Sequence, residues 1–314
     1  MEFQTKIKLK PQGHNQIDYD SKLVLLGSCF AENIGSKFKY YKFQSLLNPF
    51  GVLFHTKAIE TVLKKAINKE QYTDSDVFFY NEQWHCFDVH SRLSNTSRTQ
   101  LLLNLNTNLK LISKQINNAT HIVITLGTAW VYNVISTNST VANCHKLPQN
   151  EFNKVLLSIE EIKQSLQSII NNIKSVNSKA SIVFTVSPVR HLKDGFIENT
   201  LSKAHLISAI HQVLNEEIFY FPSFEIMIDE LRDYRFYKSD MLHPNNTAIT
   251  YIWEKFKAVW MTSEANNTMK EVENIQMGML HKPFNSQSTA HQKFLDNLEM
   301  SKLKLQNKHQ HISF

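Results

Sequence analysis

Two stretches that lie far apart in the chain carry residues that together could perform nucleophilic chemistry. Ser28 follows an apolar run and a glycine, and Asp240 precedes His243 by three positions in a turn-like segment. A carboxylate at this spacing can fold back onto the imidazole Nδ1 and fix the tautomer, which leaves Nε2 to accept a proton from a hydroxyl. The pattern predicts Ser28 as a nucleophile, His243 as its base and Asp240 as the residue that orients His243.

Ser28 stands at the predicted junction between a buried strand, residues 22–26, and a helix that starts near Ala31. At such a junction a hydroxyl projects from the sheet edge, and the first helical amides face a developing oxyanion. The alternative for Ser28 is a helix cap, and the late Asp/His pair favours the nucleophile. Cys29 is a rival nucleophile, since a thiol at a helix N-terminus can have a lowered pKa. Its place at the first apolar helix position instead favours packing.

The wider pattern alternates apolar runs with longer amphipathic stretches. Runs that are apolar throughout are typical of strands buried on both faces, and strands that alternate with helices indicate a parallel sheet covered on both sides. Each predicted strand ends in a small or polar residue, and these ends share one rim of the sheet. The predicted strands are 22–26, 121–126, 181–186 and 218–221, and the predicted helices are 31–41, 57–68, 96–117, 158–177 and 199–217.

Two regions lie outside the alternation. Residues 73–98 are aromatic and polar, which predicts a hairpin insertion within an α/β domain that spans residues 1–261. Residues 262–314 are polar and rich in Asn, Gln, Lys and His, so we expect a partly helical extension with disorder near its end.

Composition narrows the class of protein. The formal net charge is +6 among 20% charged residues, and the basic residues are scattered, so no nucleic-acid partner is expected. No apolar run reaches the length of a membrane span, three cysteines suggest reduced thiols, and the N-terminus does not resemble a secretion signal. We therefore expect a cytoplasmic protein.

No cofactor or metal is expected either. His85, Cys86, Asp88 and His90 are the residue types that bind metals, but strand alternation would put His85 on the opposite face from the other three. No second Cys/His pair with zinc-type spacing accompanies them.

The segment Leu26–Ala31 contains Gly-Ser-Cys-Phe-Ala, the signature of the GSCFA family, which resembles the SGNH (GDSL-type) hydrolases. The resemblance extends over residues 22–260 and implies a flavodoxin-like three-layer α/β/α sandwich with a mainly parallel sheet. It also implies ester or acyl chemistry by a Ser-His-Asp set, here Ser28, His243 and Asp240. Further stretches that resemble the family are 48–52, 88–91, 125–130, 143–146, 221–225 and 240–244.

The resemblance implies three donors to the oxyanion: the Ser28 amide, the Gly51 amide and an asparagine side chain from a third block. In this chain the third block reads Gly127-Thr128-Ala129 and has no asparagine. Thr128, Asn48 and Asn143 remain open as substitutes for this donor.

Three further residues are predicted to contact substrate. His90 and His145 lie in family-like blocks, and the alternative for each is a hydrogen-bonded structural histidine. Arg190 follows a predicted strand end and could grip a polar or anionic group, with a solvated loop as its alternative.

These observations predict a serine esterase or acyltransferase that acts on an acylated, carbohydrate-type small molecule or glycan through an acyl-enzyme. The alternative is a carbohydrate- or ligand-binding module on the same fold with weak or absent catalysis, which the missing asparagine motivates. A cysteine-dependent enzyme that uses Cys29 is a third hypothesis. The acyl group, the alcohol, the choice between hydrolysis and transfer, and the oligomeric state stay open.

Overall fold

The computed structural model describes residues 4–314, in which the chain forms ten strands and nine helices. The strands are β1 (Lys22–Gly27), β2 (Gln44–Leu47), β3 (Phe78–Tyr80), β4 (Gln83–His85), β5 (His121–Leu126), β6 (Trp130–Val134), β7 (Thr140–Val141), β8 (Phe152–Leu156), β9 (Ser181–Val186) and β10 (Ile218–Phe221). The helices are α1 (Cys29–Tyr40), α2 (Thr56–Ile67), α3 (Arg98–Asn118), α4 (Ile159–Val176), α5 (Phe196–His211), α6 (Ser223–Glu225), α7 (Asn246–Trp260), α8 (Ser263–Leu280) and α9 (Thr289–Lys308). The short helix α6 continues as one π-helical turn, Ile226–Leu231.

The central element is a five-stranded sheet in the order β2-β1-β5-β9-β10, and every pairing in it is parallel. All six residues of β5 and of β9 are buried, which explains why these strands read as unbroken apolar runs. This strand order is that of flavodoxin-like folds, and the chain reverses direction across the sheet between β1 and β5. Such a switch point opens a crevice at the carboxyl ends of the strands, where ligands bind.

Helices cover both faces of the sheet because adjacent residues of a strand point to opposite sides. Leu23 and Leu25 of β1 belong to the core cluster that α1, α7 and α8 form on one face. Val24 and Leu26 belong to the larger cluster formed with α2 to α5 on the other. The predicted three-layer α/β/α sandwich is therefore confirmed.

Two small antiparallel sheets lie outside the central one. Strands β3 and β4 form the predicted aromatic hairpin. Strands β7, β6 and β8 form a three-stranded sheet between β5 and α4, which sequence reasoning did not identify. The strands of the β7-β6-β8 sheet are short and largely polar on their outer face, so they lack the unbroken apolar run that is typical of buried strands.

The C-terminal extension is ordered against the α/β domain, so the expected disorder near its end is wrong. Helix α8 buries Ala265, Met269, Val272 and Ile275 at helical spacing. Leu305 and Ile312 join the same core cluster, which also contains Tyr19. Within residues 4–314, no helix combines the length and the apolar character that a membrane crossing requires.

Candidate active site

A cavity of about 700 Å³ opens at the carboxyl edge of the central sheet, above the ends of β1, β5 and β9. Cys29, Thr128 and the segment 189–194 line its floor and one side, and each follows one of these strands. Trp130 and Tyr132 of β6 form part of a wall, and His243 lines the cavity from the loop before α7. The cavity therefore lies where the sheet topology predicts a ligand site.

Asp240 and His243 are joined in the way that their spacing predicts. The Nδ1–H of His243 donates to Asp240 Oδ2 at 2.7 Å, and the Oδ1 atom accepts the backbone N–H of His243 at 3.0 Å. Met241, between them, has a φ of +57°, which folds the chain back on itself. The backbone bond from His243 and the one from Leu242 lower the pKa of Asp240 to about 2. A carboxylate only accepts hydrogen bonds, so Nδ1 carries the hydrogen and Nε2 is the basic nitrogen.

Ser28 lies beneath the cavity surface. It is 0% exposed, and its Oγ accepts the N–H of Phe30 at 3.3 Å, so it caps α1. No hydrogen bond joins Ser28 to His243 anywhere in the part of the chain that the structure describes. The Ser28 N–H donates to Thr125 O at 3.0 Å as part of the sheet. The predicted oxyanion role of the Ser28 amide is therefore wrong, because that N–H already has an acceptor.

Cys29 is the first residue of α1 and lines the cavity together with His243. Its side chain is partly exposed, so it lies at the boundary between the core and the cavity. Burial and then Glu32 raise the pKa of its thiol, whereas the ammonium of Lys203 and the amides of the first helical turn act in the opposite direction. The Cys29 N–H has no acceptor in residues 4–314, as expected for the first amide of a helix.

The segment after β2 contributes a different amide from the predicted one. The N–H of Gly51 donates to Asn48 O at 2.9 Å, so the predicted oxyanion role of Gly51 is wrong. Gly51 has a φ of +74°, and a Cβ there would lie 2.5 Å from His90 Cβ, which explains the glycine. The next residue, Val52, lines the cavity, and its N–H finds no acceptor among the described residues. Within residues 4–314, the amides of Cys29 and Val52 are therefore two backbone donors at this rim that have no acceptor.

The Asn48 side chain bonds to the backbone of Gly27, so its prediction as a substitute oxyanion donor is wrong. Its Oδ1 accepts the N–H of Gly27 at 2.9 Å, and its Nδ2 donates to Gly27 O at 3.2 Å. Asn48 is 3% exposed and does not line the cavity. The side chain clamps the backbone just before Ser28.

Thr128 and Asn143 both line the cavity and stay predictions as donors. The Thr128 Oγ1 accepts the N–H of Trp130 at 3.0 Å and lies 3.1 Å from Ser202 Oγ. The Asn143 Oδ1 accepts the N–H of His145 at 2.8 Å, and this bond leaves the amide nitrogen available.

Of the predicted substrate contacts, His90 and Arg190 line the cavity and His145 does not. The His90 Nδ1 accepts the N–H of Arg92, and the Arg190 guanidinium stacks on the ring of Tyr237 at 4.5 Å. His145 is buried, and its Nε2–H donates to a backbone carbonyl, Cys86 O, at 2.8 Å. Burial lowers the pKa of His145 to about 4, so it is a neutral structural histidine and its predicted substrate role is wrong.

Sequence reasoning missed Lys203, which sits just below the cavity. It lies on α5 and is 1% exposed, and its Nζ donates to Gly127 O at 2.6 Å and to Ser187 O at 2.8 Å. The sequence gives little signal, because positions 199 and 202 on the same buried face of α5 are Asn and Ser rather than apolar residues. A buried lysine is an exception that points to a specific role.

The residues that could hold a metal do not come together. In residues 4–314, no group of three or more His, Cys, Asp and Glu side chains has a metal-binding arrangement. His85 bonds instead to Ser94 Oγ at 2.6 Å and to Tyr80 O at 2.9 Å.

The doubly wound sheet, with the hydrogen-bonded Asp240–His243 pair beside its switch-point cavity, defines a flavodoxin-like α/β protein. The chain belongs to the GSCFA family, whose model matches residues 22–256, and this confirms the resemblance seen in the sequence. The C-terminal domain of GSCFA domain proteins matches residues 272–314. No curated protein matches the chain.

Solved structures give more distant likenesses. The chain is similar to an acetyl xylan esterase from the rumen bacterium Butyrivibrio proteoclasticus, with 10% identity and a TM-score of 0.40 over 76% of this chain and 63% of that one. It thus spans less than two thirds of that esterase. A carbohydrate esterase of family 3 from Talaromyces cellulolyticus is 8% identical, with a TM-score of 0.36 over 81% of this chain and 99% of that one. An acetyl esterase with a serine-to-alanine substitution and bound acetate is 9% identical, with a TM-score of 0.33 over the same shares. Likeness at this level does not carry an argument about activity.

Proposed function

We propose that this protein hydrolyses or transfers acyl groups carried as esters, on a carbohydrate-type substrate, through a covalent acyl-enzyme. The observation that supports it best is that the Asp240–His243 pair and the first residue of α1 line one cavity at the switch point of the sheet. A base with a fixed tautomer can activate a nucleophile, and the amides of a helix N-terminus can stabilise the oxyanion that acyl transfer forms.

The nucleophile in this proposal is Cys29 rather than the predicted Ser28. Cys29 Sγ belongs to a residue on the cavity surface, whereas Ser28 is fully buried and its Oγ caps the helix. The base and its orienter are those predicted from the sequence.

The reaction then follows ordinary acyl-transfer chemistry. The Cys29 thiol gives its proton to His243 Nε2, and the sulfur attacks the ester carbonyl carbon. The resulting oxyanion accepts hydrogen bonds from the amides of Cys29 and Val52. The tetrahedral intermediate expels the alcohol, which takes the proton from His243, and leaves a thioester on Cys29. Water or a second hydroxyl gives its proton to His243 and attacks the thioester carbonyl. The C–S bond then breaks, the Cys29 sulfur takes the proton back from His243, and the acid or a new ester leaves.

The walls of the cavity favour a sugar as the carrier of the acyl group. Trp130 and Tyr132 present aromatic rings, and His90 and Arg190 add polar groups. Aromatic faces beside hydrogen-bonding side chains suit a ligand that has both C–H faces and hydroxyls.

The test measures acyl release from short-chain aryl esters and from acetylated oligosaccharides. It compares the wild-type protein with Cys29→Ala and Ser28→Ala. We expect Cys29→Ala to abolish acyl release, and intact-mass analysis of the wild type to detect an acyl group on Cys29. Ser28→Ala serves as the matched variant, because it removes a cap worth about 1 kcal/mol and leaves the thiol in place. If Ser28→Ala abolishes turnover while Cys29→Ala retains it, the serine triad of the sequence prediction is correct and Cys29 is not the nucleophile.

The second candidate function is a carbohydrate-binding module on this fold. The third-block position that would carry the side-chain donor is Ala129, which is 0% exposed. Glycan binding that is equal in wild type and Cys29→Ala, with no turnover of any acylated glycan, would favour this candidate over the enzyme.

A further inference from the structure

The hairpin formed by helices α8 and α9 projects from the α/β domain. The buried residues of α8 end at Ile275, α9 is anchored by the buried Leu305, and no residue from 276 to 304 is buried. The two helices nevertheless pack on each other, because a Cβ on Gly278 would lie 2.8 Å from Leu298 Cδ1. The hairpin is therefore a formed element whose loop end points away from the core.

The loop end of this hairpin, residues 277–293, is called the hairpin tip below, and it exposes large apolar side chains. Phe284 in the loop is fully exposed. Leu280 and Met277 lie on one side of α8, at a spacing of three residues, and are 76% and 63% exposed. Met279 is exposed beside them. Large apolar side chains that are exposed together mark an interaction surface.

The hairpin tip carries charge of one sign. Its charged residues are two exposed lysines, Lys282 and Lys293, and it contains no Asp or Glu. In residues 4–314 neither lysine forms an ion pair, whereas Lys302 and Lys308 farther along α9 each do. The two positive charges of the tip are therefore uncompensated within the described chain.

The acidic residues of the two helices lie back from the tip. Glu273 on α8 and Asp296 on α9 are the nearest along the chain, and each lies about 10 Å from the loop end of its helix. An element that inserts into a bilayer surface reaches about 5–10 Å into the boundary between headgroups and acyl chains. The tip can therefore enter that layer without burying a carboxylate.

We propose that the hairpin tip is a membrane-docking element that inserts Phe284 and Leu280 into the surface of an anionic bilayer. Lys282 and Lys293 contact the lipid headgroups in this arrangement. Buried apolar area and attraction to anionic lipids together set the strength of such binding. The inference goes beyond the proposed function and does not depend on which residue is the nucleophile.

A second copy of the chain is a poorer occupant of the tip. A two-fold contact between tips pairs the patch with itself, so it would place the lysines of one copy against those of the other. A stable dimer also buries about 800 Å² on each partner, supplied by about 20–30 residues. The tip offers far fewer large apolar side chains than such an interface requires: Met277, Met279, Leu280 and Phe284.

The experiment measures co-sedimentation of the full chain with vesicles at low salt. The vesicles contain either phosphatidylcholine alone or equal parts of phosphatidylcholine and phosphatidylglycerol. We expect the wild type to bind the mixed vesicles about tenfold more tightly than the neutral ones, because each lysine adds attraction to anionic lipid.

The variants separate the apolar and the charged contributions. Phe284→Ser and Leu280→Ser should each weaken binding to the mixed vesicles about tenfold, and Lys282→Gln should weaken it about fivefold. Ile197→Ser is the matched control and should bind like the wild type. Ile197 is 79% exposed on α5, which packs on the opposite face of the sheet from α8.

Hydrogen exchange in the wild type tests the same contact without a substitution. Mixed vesicles should slow exchange in residues 277–293 and leave residues 196–204 unchanged. Absence of vesicle binding, equal binding by wild type and Phe284→Ser, or equal binding to the two kinds of vesicle would each overturn the proposal.

Sedimentation velocity without lipid tests the other occupant. Self-association that Phe284→Ser removes, in a protein that does not bind vesicles, would overturn the proposal and assign the tip to a second copy of the chain. Neither result bears on the proposed function, because acyl release from soluble esters is measured without vesicles.

Discussion

Replacing Asn48 by alanine should destabilise the turn between β1 and α1, which carries the proposed nucleophile Cys29. The substitution leaves the Gly27 N–H without its acceptor, a loss of about 1–3 kcal/mol for a buried donor. The Gly27 carbonyl keeps the Leu53 N–H at 3.0 Å, so the second lost bond costs about 0.5–1.5 kcal/mol. Asn48 has a φ of +40°, and alanine in this left-handed region adds about 1 kcal/mol. The sum predicts a loss of about 3–5 kcal/mol in the free energy of unfolding.

Asn48→Gly is the matched control, because glycine accepts the positive φ and removes the same two bonds. Urea unfolding followed by circular dichroism should rank the proteins as wild type, then Asn48→Gly, then Asn48→Ala, with about 1 kcal/mol between the two variants. A loss below about 1 kcal/mol in Asn48→Ala, accompanied by a large fall in esterase kcat, would refute this reasoning. It would restore Asn48 as the oxyanion donor that the sequence suggested.

Three further outcomes are expected. Asp240→Asn should lower kcat by on the order of 10⁴-fold with little change in KM or Tm, because an amide cannot fix the His243 tautomer as the carboxylate does. An unchanged kcat would remove His243 as the base. His55 is buried at the start of α2, and burial lowers its pKa to about 4, below the unfolded value of about 6.5. Above pH 6.5, His55 is neutral in both the folded and the unfolded chain. As the pH falls toward 4, the unfolded chain takes up the proton more readily, so the free energy of unfolding falls by up to about 3 kcal/mol. His55→Asn should lose less stability than wild type between pH 7.5 and 4.5 in urea titrations, and equal losses would contradict this. Leu305→Ala should cost about 2–5 kcal/mol, because the side chain is 1% exposed in the core shared with Tyr19; a separate early transition, with the main one unmoved, would show that the extension unfolds independently.

The parts of the fold that the sequence predicted are those in which one local pattern determines the structure. The runs 121–126, 181–186 and 218–221 match β5, β9 and β10 residue for residue, since strands buried on both faces are apolar throughout. Strand β2 and the sheet β7-β6-β8 were missed because their residues are half-buried or polar. These strands form through pairing with neighbouring strands, which their amino-acid composition does not reveal.

In the candidate site, too, the sequence predicts the contacts that are local in the chain and misses those made to remote segments. The Asp240–His243 bond follows from a spacing of three and a local turn, so the sequence predicts it directly. The direction in which His145 points depends on the remote hairpin that supplies Cys86 O, and no local pattern reports that contact. Lys203 was missed for the same reason, because the two carbonyls that it bonds come from two different strand ends.

The proposal that Cys29 is the nucleophile depends on which hydrogen bonds the successive residues of the β1–α1 turn make. Gly27 has a φ of +128°, and a Cβ there would lie 2.1 Å from Thr125 O, so no side chain fits at that position. The Ser28 N–H donates to Thr125 O in the sheet, and the Ser28 hydroxyl accepts the Phe30 N–H as the cap of α1. The first residue beyond the turn that keeps both a side chain at the cavity and an unused N–H is Cys29. A strand that enters a helix through such a turn therefore presents the residue after the cap to the cavity, and in this chain that residue is Cys29, the proposed nucleophile.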